Sequence, residues 1–297
     1  FNKLNSIAMR IFFLSFTLLC LTLLSFGQKP TTDKKLAVQI KQLTQGFQGD
    51  VGIYVHHLKK NKEVNIQADS IFPTASIVKI PILVGIFDKI EKGELQLDQQ
   101  LIYRTSQRYG GSGLMQFFKD STQVDLKTLV ALMLSYSDNV TSIWNQKLAG
   151  GGMAINKLMA DLHLQQTRVN SQTEGRKADW EKYGWGQTTP KEMADLVTLI
   201  RKGKVISVKS SDLMYRLMGN MFYDERGLSQ IPSTIKTASK TGSLDDVRSE
   251  VILVNAPKGD YVFSIFTKNN KDQSWGKTNE AEILTRRLSK LLWDYYR

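Results

Sequence analysis

A serine and a lysine three residues apart, Ser76-Ile77-Val78-Lys79, open the apolar segment SIVKIPILVGIFDKIEKGEL, after Pro73 and Thr74. Residues i and i+3 share one face of a helix, so these two side chains are predicted to lie together. Ser76 falls in the first turn, where free N–H groups and the helix dipole favour negative charge. Lys79 falls one turn on, its stem among apolar neighbours. Burial and nearby cations lower a lysine's pKa, and a neutral lysine can take a serine's proton. That chemistry is acyl transfer without a histidine. The histidines fit no rival scheme. His56 and His57 are adjacent in a strand and face opposite sides, and His163 falls in a helix. None belongs to a nucleophile elbow or a metal-ligand motif, and all three read as structural.

S-x-x-K alone is a weak signal, and a serine there also fits a helix N-cap. The pattern occurs at Ser76/Lys79, Ser233/Lys236 and Ser274/Lys277. The second falls in a predicted strand and the third in a polar turn, so only the first begins a buried helix. Two further motifs occur once each: Ser137-Asp138-Asn139 after the helix DLKTLVALMLSY, and Lys240-Thr241-Gly242 in a strand-like segment. S-x-x-K with S-D-N and K-T-G is the set of class A β-lactamases and penicillin-binding proteins. With RYGGSGLMQFF, the TTP at 188–190 and KTGSLDDVRSEV, the sequence resembles a class A β-lactamase over essentially the whole mature chain.

That resemblance implies roles residue by residue. Ser76 resembles the nucleophile and Lys79 its proton acceptor. Ser137 resembles the hydroxyl that passes a proton to the leaving nitrogen. Asn139 would hydrogen-bond the substrate amide and Lys79. Lys240 would attract the substrate carboxylate, with Thr241 and Ser243 hydrogen-bonding it. The oxyanion hole would be the N–H groups of Ser76 and Ser243. Asp138 reads as a structural cap. A second cation for the carboxylate could be Arg226, in YDERGL, or Arg248.

The stretch RVNSQTEGRKADWEKYGWGQTTP, from Arg168 to Pro190, shows neither a helical nor a strand repeat, and long loops of this kind are usually functional or disordered. The resemblance places the base for ester hydrolysis here, as a Glu followed four residues later by Asn. Glu174 is followed at that distance by Ala178, and ungapped counting from Arg168 puts Thr173 at the Glu position. Asp179 and Glu181 lie too near the TTP end. Glu174 is therefore the base across a loop bulge, or deacylation is slow as in a penicillin-binding protein, or Glu174 only solvates the loop.

The elements that must position these groups follow from periodicity. A helix at 34–47 precedes strands in GDVGIYVHHL and KEVNIQAD; helices dominate from 72 to about 222; strands return in TIKTASKTGS, SEVILVNA and DYVFSIFTK; EAEILTRRLSKLLWDYY closes the chain as a helix. The predicted class is α+β, with an antiparallel five-stranded sheet flanked by helices. Residues 28–71 and 225–297 form a discontinuous α/β lobe, and 72–224 an inserted all-helical lobe carrying the nucleophile, S-D-N and the long loop. A site between two such lobes is a common place for a pocket.

Lys3 and Arg10 followed by IFFLSFTLLCLTLLSFG describe a signal peptide over 1–27, cleaved near Gly27-Gln28, and predict a secreted or periplasmic protein. The single cysteine, Cys20, lies inside it, so disulfides, thiolate nucleophiles and Cys-ligated metals are excluded after cleavage. The formal charge of +12 is spread along the chain with no nucleic-acid motif; anionic envelope polymers fit it better than DNA. No metal or organic cofactor is implied, and a monomer is expected. The substrate is a β-lactam or a D-Ala-D-Ala-like peptide. A periplasmic serine β-lactamase is one reading. A D-alanyl-D-alanine carboxypeptidase or penicillin-binding-protein-like acyl-enzyme former is the alternative.

Overall fold

The alternation in GDVGIYVHHL becomes strand β1 (Asp50–His57), and the chain returns through a turn at 58–61 as β2 (Lys62–Ile66). The computed structural model describes residues 29–297. The predicted signal peptide and Cys20 lie outside the described residues. Far along the chain, β3 (Thr237–Leu244), β4 (Val247–Val254) and β5 (Tyr261–Lys268) complete the sheet. Its five strands of five or more residues are antiparallel throughout, in the order β2-β1-β5-β4-β3. Strands β4 and β5 form a hairpin around Pro257-Lys258-Gly259, closed by Gly259 N donating to Ala256 O.

Side chains alternate across a sheet, and here both faces are covered, which is why VILV and YVFSIF read as continuous apolar runs. Ile53, Val55, Ile252, Val254, Phe263 and Ile265 share a core with helices α1 (Lys34–Leu43) and α9 (Glu280–Tyr296). Tyr54, Val251, Leu253, Val262 and Phe266 point the other way, into a second core built by the central helices. Those are α2 (Lys79–Glu91), α3 (Leu126–Ser135), α4 (Asn139–Leu148), α5 (Gly151–Asp161), α7 (Pro190–Arg201) and α8 (Val208–Met218), while α6 (Lys177–Tyr183) stays outside that core. Helix α2 is buried from Lys79 through Phe87. A helix enclosed on all sides carries apolar residues on all sides, as KIPILVGIF does apart from its lysine.

Three local expectations are corrected. His163 lies past the end of α5 with φ +63, in the turn that follows the helix. Ser233 to Lys236 is a turn, because β3 begins only at Thr237. The polar stretch 168–190 holds two short paired strands, Arg168–Val169 and Gly186–Thr188, and helix α6 between them. Helix α6 has no buried residue, so it imposes no apolar period for a sequence reading to find.

Leu288 of α9 is wholly buried against the sheet, whereas Ile283 of the same helix is 40% exposed. Leu288→Ala is predicted to lose about 2–5 kcal/mol of stability in urea unfolding, and Ile283→Ala about 1 kcal/mol or less.

Candidate active site

The three motifs meet because three elements converge on one point. Ala75–Val78 forms a 3-10 turn leading into α2, so Lys79 is the first residue of the α-helix. Strand β3 lies alongside that turn. The contact is close: a Cβ at Gly242 would stand 2.5 Å from Thr74 O and 3.2 Å from Ala75 Cβ. Glycine in K-T-G therefore lets the strand reach the backbone just before Ser76. Two non-glycine residues here take positive φ, Ala75 at +44 just before Ser76, and Ser137 at +51. Such conformations cost about 1–3 kcal/mol and persist only where the surroundings impose them. Asp138 caps α4 through Oδ1, accepting from Thr141 N, while Oδ2 accepts from Leu114 N and Met115 N. That carboxylate binds the 109–118 segment to the turn carrying Ser137.

Lys79 Nζ donates to Ser76 Oγ (3.0 Å), Ser137 O (2.6 Å), Ser137 Oγ (3.1 Å) and Asn139 Oδ1 (3.1 Å). Lys240 Nζ reaches the same Ser137 Oγ at 3.1 Å and its own strand at Thr241 O. Both lysines are fully buried. Burial, then the Lys240 cation, hold Lys79 well below the ordinary lysine range, with Asp138 pulling the other way. Burial, then Arg226, bring Lys240 down to about 7, against the pull of Glu250. On β4, Glu250 is buried with Oε2 accepting from Gly227 N, and burial raises it to about 7.

A cleft of about 820 Å³ opens over this cluster. Ser76, Ser137, Asn139, Thr241 and Ser243 line it, together with Trp185, Tyr223, Arg226, Trp275 and Glu282. The two arginines differ in position. Arg226 Nη2 donates to Ser243 Oγ (2.7 Å) and pairs with Glu282 (3.0 Å). Its Nη1 has no hydrogen-bond partner among the described residues. Arg248 is not among the cleft's lining residues; its guanidinium donates to the carbonyls of Leu244, Asp245, Val247 and Ser274, under Trp275. It holds the β3–β4 turn. Thr241, Ser243 and Arg226 stand together on the cleft wall, with Lys240 buried beside Thr241.

The loop does not bring Glu174 into the cleft. Glu174 is exposed and is not among the lining residues, whereas Thr173 beside it is buried, its Oγ1 donating to Ser171 O. Asp179 pairs with Arg176 and Glu181 with Lys177. Arg176 also donates to Asn170 Oδ1 and Gln187 Oε1, pinning the two ends of the loop together. The carboxylates that line the cleft are Glu225 and Glu282, at the Arg226 end. Among the described residues there is no group of three His, Cys, Asp or Glu side chains placed to hold a metal ion.

Sequence reasoning missed Glu282 and Trp185. Glu282 anchors Arg226, Arg248 and Arg286 from α9; only its i,i+4 relation to Arg286 was visible in the sequence. Trp185 stands between two glycines, in a stretch that also holds Trp180 and Tyr183, with its ring centroid 6.0 Å from Lys79 Nζ.

Residues 35–296 match the family described as Beta-lactamase enzyme family. Beta-lactamase VEB-1 of Pseudomonas aeruginosa is 24% identical over 273 residues, covering 88% of this chain and 90% of that protein. Beta-lactamase SME-1 of Serratia marcescens is 24% identical, covering 75% and 76%. The solved structure of PBP-A superposes with a TM-score of 0.80 at 24% identity, covering 91% of this chain and 98% of that one. A beta-lactamase from Sphaerobacter thermophilus gives 0.79 at 24% identity, covering 89% and 98%. The two structures share the α+β fold described above.

The buried carboxyl of Glu250 gives a pH signature. Between about pH 4.5 and 7 the unfolded chain releases this proton and the folded one keeps it. The contribution of Glu250 to stability therefore falls as pH rises through that window. Urea unfolding at pH 5 and pH 7 is predicted to show wild type losing about 2 kcal/mol relative to Glu250→Gln across the interval.

Proposed function

Because this chain belongs to the Beta-lactamase enzyme family, we propose that it is a serine hydrolase of the class A type, opening the β-lactam amide through an acyl-enzyme on Ser76. The observation that carries the reading is the short contact from Lys79 Nζ to Ser76 Oγ in a site where Lys79 is buried beside a second cation. A lysine so placed loses its proton readily, and the Ser76 hydroxyl then donates along the same line.

Ser76 Oγ attacks the lactam carbonyl carbon as its proton passes to Lys79 Nζ. The charge on the carbonyl oxygen is met by the N–H groups of Ser76 and Ser243. As the C–N bond breaks, Ser137 Oγ gives its proton to the leaving nitrogen and takes one from Lys79, whose Nζ lies 3.1 Å away. Lys240, on the other side of Ser137 Oγ, disfavours positive charge on Lys79 and so drives that return. Asn139 would hold the substrate amide, and Lys240, Thr241, Ser243 and Arg226 its carboxylate. No metal or organic cofactor enters the scheme. The two-lobe division at 72 and 225 belongs to the same proposal, with the cleft lined from both segments. So do a monomeric state, and export to the periplasm on the strength of Lys3, Arg10 and the apolar run after them.

Water must then cleave the Ser76 ester. The exposed place of Glu174 favours slow release, with deacylation as the limiting step. It also supports a second reading, a D-alanyl-D-alanine carboxypeptidase or penicillin-binding-protein-like enzyme using the same serine. A variant of PBP-A, a protein of the same fold, has been captured as its acyl-enzyme with penicillin G.

Intact-mass spectrometry with penicillin tests the proposal. Wild type is predicted to gain one acyl group and shed it slowly, and Ser76→Ala to gain none; an adduct on Ser76→Ala contradicts the mechanism. Glu174→Gln is predicted to leave the adduct lifetime within about twofold of wild type, whereas loss of a general base lengthens it by about 10²–10⁴-fold. Release of D-alanine from a peptide ending in D-Ala-D-Ala supports the second reading, and its absence removes it.

A further inference from the structure

Behind the cleft lies a second cavity of about 480 Å³, under the long loop, with Ile143 and Trp180 among its walls and Asn170, Ser171, Gln172 and Thr173 on the loop side. Among the described residues, Trp185 alone lines both spaces. It is held there firmly. Trp185 O accepts from Asn170 N (2.8 Å) and Ser171 N (3.1 Å). The next residue, Gly186, accepts from Thr74 N through its carbonyl, tying the tryptophan to the nucleophile's segment. The indole meets Tyr109 edge-on at 5.3 Å between centroids. The ring is thus a wall common to both spaces, with its centroid 6.0 Å from the buried Lys79 Nζ.

We infer that Trp185 is a positioning residue that keeps the water of the loop cavity from Lys79, holding it dry enough to act as a base, and from the loop-facing side of an ester on Ser76, prolonging the life of an acyl group there. The part about the acyl group rests on the proposed function; the part about Lys79 does not. Two opposed effects of the indole can be weighed. Its face attracts a cation, which would favour protonated Lys79, but at 6.0 Å the contact is at the outer limit of that attraction and is worth well under one pKa unit. Exclusion of water from a fully buried ammonium is worth up to several units in the opposite sense. Dehydration wins, so removing the ring lets the two spaces join, admits water and raises the basicity of Lys79. The same opening brings water toward an ester on Ser76.

The test compares wild type, Trp185→Phe, Trp185→Ala and Trp185→Gln. NMR titration of the Lys79 Cε resonance reads the base without any substrate. Intact-mass decay of the penicillin adduct reads the ester. The Lys79 midpoint is predicted to rise by about one pH unit or more in Trp185→Ala, and the adduct to decay several-fold faster, by about fivefold or more. Trp185→Phe, which keeps an apolar partition, is predicted to stay near wild type in both readouts. Where Trp185→Ala does not fold, Trp185→Gln is read in its place. A Lys79 midpoint or an adduct lifetime that does not move in the folded variant overturns the inference, as does a Trp185→Phe protein altered as much as Trp185→Ala. Wild type that forms no adduct contradicts the proposed function, while the titration still decides the role of Trp185 toward Lys79.

Discussion

Two lysines, Lys79 and Lys240, are buried on either side of one serine hydroxyl, Ser137 Oγ. Burying a charge is costly unless it is paired, and two adjacent buried cations add repulsion to that cost. The carboxylate nearest Lys79 in influence, Asp138, is occupied with backbone N–H groups of the 109–118 segment and α4. The fold resolves the conflict by lowering the proton affinity of both amines. Much else in the structure serves that arrangement: the all-apolar α2 around the Lys79 stem, the glycine that admits β3, and the positive φ angles that aim Ser76 and Ser137. Strain and desolvation concentrated at one place are what a reactive site requires.

The opposite end of the cleft follows a different rule. There charge is neutralised by pairing. Glu282, buried on α9, lies against Arg226, Arg248 and Arg286. Arg226 donates to Ser243 through Nη2, while Arg248 turns its two terminal nitrogens to backbone carbonyls, three of them in the β3–β4 turn. The cleft is therefore polarised, with two buried amines of lowered proton affinity beside Ser137 and a paired guanidinium at the other end. An amide carrying a carboxylate a short distance from its carbonyl fits that polarity. The long loop closes the third side with an indole, and its acids face solvent or neighbouring basic residues.

The fold was legible where burial imposes a period. Strands β1, β4 and β5 and helices α2, α7 and α9 were readable because one or both of their faces must be apolar. Helix α6 was not, because it buries nothing. The S-x-x-K, S-D-N and K-T-G motifs were legible because each sits at an element boundary that fixes its geometry, and the structure brings their side chains within hydrogen-bond reach of one another. Arg226 against Arg248 was undecidable from sequence, since both depend on Glu282, a residue of a distant helix. The loop was least legible: a bulge that would carry Glu174 inward and a turn that leaves it exposed have the same composition.

The central claim is that unprotonated Lys79 removes the proton of Ser76. The most direct measurement is the rate of acylation by a chromogenic cephalosporin, followed in a stopped flow from acid to alkaline pH, in wild type and in Lys79→Gln. The account predicts that the wild-type rate rises with pH along a limb lying well below the ordinary lysine range, and that Lys79→Gln loses that limb and about 10²-fold or more of the rate. A Lys79→Gln protein that keeps the same rising limb would contradict it.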